Sequence, residues 1–223
     1  MKVLRQILLL VGKDLRIEGR TRQTLGLVVV LGILIVSVLA LGFSGHPAEA
    51  KVGTPAILWV AYLFAGVLCF EKTMAVERQD GALAGLLLAP IDRGVIFAAK
   101  LAANLVLMLG VAAVITPVGI LFFGFDLGPA LGGFVAVIGI SMVGFAAVGT
   151  LFAALVSSTR LAGGLLALVV FPIVLPLVIS STQILAKMFD GRKPEATALA
   201  VLGAFDAIFL TASWIVFEVV LEA

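Results

Sequence analysis

The chain has 223 residues, 62% of them hydrophobic and 13% charged, with a formal net charge of +2 and a mean hydropathy of +1.26. Soluble domains carry about 45–50% apolar and about 25% charged residues, so this composition excludes a buried globular core and points to spans that face lipid. One cysteine, Cys69, excludes an internal disulfide and a cysteine-based metal cluster.

Residues 1–22 read as a basic amphipathic helix. At about 100° per residue, Lys2, Arg5, Lys13, Arg16 and Arg20 share one sector, and Val3, Leu4, Ile7, Leu8, Val11 and Leu15 lie opposite. That pattern suits a helix in the headgroup plane, attracted to anionic lipid. Leu9 falls on the basic face, and Asp14 and Glu18 fall on the apolar one. The apolar run after Lys2 and Arg5 is too short for a signal-peptide core.

Six charge-poor runs follow, at 24–43, 52–70, 101–125, 127–159, 161–186 and 196–217. About 20 residues cross the hydrocarbon core, so each predicts one helix. The fourth is too short for two spans, and its surplus predicts loop or tilt. With the N-terminus inside, Lys2, Arg5, Lys13, Arg16, Arg20, Arg22, Lys72, Arg78, Arg93, Lys100 and Arg160 lie on the inner side. Lys51, Lys187, Arg192 and Lys193 lie on the outer side. The excess of inner positive charge favours both termini in the cytoplasm. The expected fold is an all-α integral membrane protein: a segment 1–22 and a six-span domain 23–223.

Gly128 and Gly132, Gly149 and Ala153, and Gly163 and Ala167 repeat small residues at the four-residue spacing of close helix contacts. Pro117, Pro172 and Pro176 lie inside spans, where a missing donor bends a helix. The bends are either plain kinks or hinges. Asp206 is the one acid well inside a span. It serves either a structural hydrogen bond or a wet path, with Asn104, Ser180, Ser181 and Thr182 as candidate partners.

There is no G-x-x-x-x-G-K-[ST] motif, so the phosphate cradle of that motif is missing. H-E-x-x-H and G-x-S-x-G are missing too. His46 reads as a loop histidine, Cys69 as a small packing residue, and Trp59 and Trp214 as interfacial or bundle packing. No catalytic residue, directly bound cofactor, metal site or nucleic-acid partner is expected.

The stretch 70–100 stands apart as a long inner connection between spans. Glu71, Lys72, Glu77, Arg78 and Asp80 give it charges of both signs; Gly81 breaks it, an apolar turn runs over 83–89, and Pro90, Asp92 and Arg93 close it. Either it is a solvated loop, or its polar side docks a soluble partner while its apolar side anchors to the spans.

The string ERQDGALAGLLLAP at 77–90, followed by the span that begins at Lys100, resembles the D-G-x-L-x-x-L-x-L-x-P pattern of the CcmB family, membrane permeases of the cytochrome c maturation ABC transporter. The stretch GTLFAALVSSTR…GGLLALVVFPIVLPLVI, 149–179, resembles the family's fourth and fifth spans. Gly85 departs from the pattern, since relatives often carry an acid or glutamine there. The resemblance implies an ABC-2-like subunit of the bacterial inner membrane, in two copies, serving haem export or ATP-driven release of a haem-loaded chaperone. It implies a cytosolic ATPase subunit (CcmA-like), haem-handling membrane partners (CcmC-like and CcmD-like) and a haem chaperone (CcmE-like). ATP would sit on the ATPase subunit and haem on the other partners. It also implies a coupling helix within 71–93, carried by Glu71, Glu77, Arg78, Asp80, Gly81, Leu83, Leu86, Leu87 and Pro90. Rival readings are a permease for a lipid, drug or other small molecule, an ion-driven transporter, and a non-transporting scaffold.

Overall fold

Long apolar runs give long helices because a backbone in lipid must satisfy its own hydrogen bonds. The computed structural model describes residues 2–21, 23–79, 85, 88, 91–157 and 162–220. Among these, seven α-helices follow one another: α1 (Lys2–Thr21), α2 (Gln23–Gly42), α3 (Pro47–Gln79), α4 (Arg93–Phe123), α5 (Leu131–Ser157), α6 (Ala162–Phe189) and α7 (Ala196–Val220). Six of them, α2 to α7, are long and apolar enough to cross a membrane. No strand occurs among the described residues.

The spans of α3 and α5 are 61% and 56% buried, against 17% for α2 and α7. The first two therefore form the interior, and the last two present most of their surface outward. Aromatic rings join the interior pair. Phe70 of α3 meets Phe145 of α5 edge to face at 5.1 Å. A Cβ at Gly149 would overlap the Phe70 ring, and one at Gly66 would overlap Phe145. Gly149 thus works as the small-residue pattern predicts. The Gly128–Gly132 pair does not: Gly128 meets only the nearby Asp126 side chain, and Gly132 faces open space. Gly163 has no described side-chain environment. Spacing alone does not say which face of a helix meets a neighbour.

The bundle has two distinguishable ends. At one, α1 packs beside the start of α4, and Phe97 of α4 meets Trp214 and Phe217 of α7 at 6.1 and 5.0 Å. This is the α1 end. At the far end, Phe189 of α6 stacks on Phe125 at 4.6 Å and on Phe134 at 6.3 Å. A Lys187–Glu195 ion pair of 2.9 Å spans the loop there. The Lys187 ammonium, first by its hydrogen bond and then by its charge, holds the exposed Glu195 carboxyl below the usual range.

Helix limits differ from the apolar runs in two informative places. α4 begins at Arg93 rather than 101, because Asp92 caps it: Oδ1 accepts from the Gly94 N–H at 2.8 Å. The surplus of the fourth run forms loop, as a short 3₁₀ turn at Gly128–Ala130 after Gly124 closes α4 at φ 62°.

Candidate functional site

The connection between α3 and α4 holds most of the residues singled out in the sequence. Glu71 lies on α3 and is half-buried. Glu77 and Arg78 belong to the last turn of α3, but their side chains fall outside the described part. Asp80, Gly81, Leu83, Leu86, Leu87 and Pro90 lie outside the described residues altogether. Of the apolar turn, Gly85 and Leu88 are described; both are helical and exposed. Two rigid elements bound the segment: α3, about 50 Å long at 1.5 Å per residue, and the Asp92-capped start of α4.

Around those two ends the helices are tied by buried polar groups whose partners the sequence did not show. Asp14 of α1 accepts from Lys100 Nζ of α4 at 2.8 Å, with both side chains below 10% exposed. Lys13 approaches the same carboxylate at 3.1 Å. One turn on, the buried Glu18 accepts from the Leu25 N–H at 2.8 Å. That N–H belongs to the first turn of α2, where donors lack intrahelical partners. The two acids that spoil the apolar face of α1 are therefore the residues that fasten it to α4 and α2. The signal was present in the sequence as an acid pair, i and i+4, on the wrong side of an amphipathic helix.

Beside Lys100, Asn104 links three spans. Thr73 of α3 donates to Asn104 Oδ1 at 3.0 Å, and Asn104 Nδ2 donates to Thr150 Oγ1 of α5 at 2.9 Å. Both Asn104 and Thr150 are fully buried. Nearer mid-bundle, the Tyr62 hydroxyl and Thr116 Oγ1 bond at 2.7 Å, and Trp59 Nε1 donates to Ser181 Oγ at 3.0 Å. Each is a side-chain bond between spans, worth about 1 kcal/mol in membrane helices. Their value here is direction: they join α3 to α4, α5 and α6.

The three span prolines singled out in the sequence lie on exposed faces, Pro117 within α4 and Pro172 and Pro176 within α6. Both helices run through them without a break. Asp206 is buried at 7% exposure, and its Oδ1 has no hydrogen-bond partner among the described residues. Of the polar residues considered as its partners, Asn104 is bonded to Thr73 and Thr150, and Ser181 is bonded to Trp59. Trp59 packs inside the bundle against Tyr62, the exposed Trp214 lies edge-on to Phe97, and Cys69 is buried.

The family model described as CcmB protein matches residues 5–221, from α1 to the end of the chain's last helix. The chain belongs to the CcmB family. Among curated relatives, it is 28% identical over 195 residues to heme exporter protein B of Paracoccus denitrificans, covering 86% of this chain and 87% of that one. The match spans the CcmB-like 77–90 string, the α1 contacts and the Asn104 ladder together, so the likeness belongs to the whole bundle. It includes all six candidate membrane helices, and the chain is a multi-pass membrane protein of this family.

Proposed function

We propose that this CcmB-family chain is the membrane permease subunit of an ABC transporter for cytochrome c maturation, working in haem export or release of a haem-loaded chaperone. The observation that carries this reading is the family match over 5–221 in a chain without a phosphate-cradling motif. Likeness to heme exporter protein B over most of both chains supports the cargo class. The α1 end lies in the cytosol of a bacterial inner membrane, and two copies assemble with two CcmA-like ATPase subunits. ATP binds those subunits, and CcmC-, CcmD- and CcmE-like partners handle haem.

The ATPase docks on 71–93. Its closure moves the end of α3 and the start of α4 together. From α3 the displacement passes through Thr73, Asn104 and Thr150 into α5. From α4 it passes through Lys100 and Asp14 into α1. α6 bends at Pro172 and Pro176, where two carbonyls lack their helical donors.

Deleting the gene should abolish c-type cytochromes, and the plasmid-borne chain should restore them. Purification in mild detergent should recover a nucleotide-binding subunit. Glu77→Lys and Asp80→Lys should lower stimulated ATPase activity while membrane insertion stays normal. A deletion strain that still makes c-type cytochromes points instead to a permease for a lipid or drug. Full stimulation in both charge reversals removes the docking assignment.

A further inference from the structure

Three helices meet around one empty position near mid-bundle. Gly144 lies at the middle of α5, Asp206 near the middle of α7, and Leu177 follows Pro176 on α6. A Cβ at Gly144 would overlap Asp206 Oδ1 and crowd Leu177 Cδ1 and Phe205 Cδ1. The missing side chain is what makes room for the carboxyl. Oδ1 is shielded from solvent and accepts no hydrogen bond among the described residues.

Among the described residues, no cation faces this carboxyl from the helices packed around it. α5 has no charged residue, and α4 has only Arg93 and Lys100, both at the α1 end. Lys187 is the one charged residue of α6. It lies about 15 Å along the axis from Leu177 and is held by Glu195. A bare carboxylate in hydrocarbon costs several kcal/mol; a neutral carboxylic acid costs far less. With no counter-charge at hand, the bound group that fits is a proton.

A cavity lies on the far-end side of this position. Between α6 and α7 lies a cavity of about 170 Å³, lined by Ser180, Gln183, Lys187, Glu195 and Val201 among others. Its polar side chains step along α6 at helical spacing, and the Lys187–Glu195 pair stands at its mouth. Two of its lining residues, Ser180 and Val201, lie one helical turn from Leu177 and Phe205, the two side chains that crowd the Gly144 position.

We propose that Asp206 is an intramembrane proton-binding site, reached from the far end of the bundle along the α6–α7 groove, with Leu177 and Phe205 as its apolar gate. Because Leu177 follows Pro176, bending of α6 opens or shuts this gate. Protonation of Asp206 thereby reports, or biases, the position of α6.

The test uses the full chain in lipid nanodiscs and two carbodiimides, which add to a protonated carboxyl without loss of atoms. An ordinary aspartate, with a pKa of about 3.9, is ionised and unreactive at pH 7. The apolar reagent dicyclohexylcarbodiimide should nevertheless modify Asp206 at pH 7, with mass-spectrometric loss of the adduct in Asp206→Asn and as the medium is made alkaline. A water-soluble carbodiimide should fail on the native chain and succeed on Leu177→Ala or Phe205→Ala. Two gate variants are used so that misfolding of one does not decide the matter. No adduct at pH 7 overturns the proton site. Protection by sodium or potassium at constant pH overturns it in favour of a metal cation. Unchanged access of the water-soluble reagent in both gate variants overturns the route.

Discussion

Asp14, Glu18 and Lys100 are costly residues to place among apolar neighbours, and each has a defined partner. Removing one member of a buried ion pair strands the other charge and costs about 3–5 kcal/mol, whereas replacing both with apolar residues is often neutral. Lys100→Met should therefore lower the stability of the detergent-solubilised protein strongly, and Asp14→Leu with Lys100→Met should recover most of the loss. Equal loss in the single and double variants, by thermal unfolding, contradicts the anchoring role of the pair. At this scale the sequence was only half legible. Asp14 and Glu18 were visible as misfits, but their partners are 86 and 7 residues away, and a helical wheel carries no information about the neighbouring helix. Asn104 was legible as a polar residue in a span, yet its partners proved to be Thr73 and Thr150 rather than anything near Asp206.

The helices themselves were the most legible part, because about 20 apolar residues leave few alternatives in a membrane. Limits failed where a cap or a buried charge overrode the hydropathy, as at the Asp92 start of α4. Close approaches failed for the opposite reason: Gly128, Gly132 and Gly149 look alike in sequence, and only Gly149 meets a ring from another helix. The α3–α5 contact gives this a test. Gly149→Leu should drive α5 off Phe70, with an overpacking cost of about 1–3 kcal/mol, while Gly132→Leu should leave unfolding unchanged. Comparable loss in both variants, measured in one detergent, would falsify the distinction.

For the whole molecule, the 71–93 stretch was legible as a connection, since no other charge-rich stretch of that length separates two spans. What the sequence did not reveal is where a push on it goes. Asn104→Leu removes the shared member of the Thr73–Asn104–Thr150 chain. The variant should insert, and an ATPase subunit should still co-purify, while c-type cytochrome production falls. Normal production in that variant would reroute the transmission away from α5.

One further consequence follows from the length of α3. At 33 residues it is about 50 Å long, against a hydrocarbon core of about 30 Å. A single shaft therefore emerges from both faces of the bilayer. Torque applied near Gln79 arrives near Pro47 with no intervening joint except the buried Pro55. Such a shaft lets an event in one compartment be felt in the other without any solute passing between them.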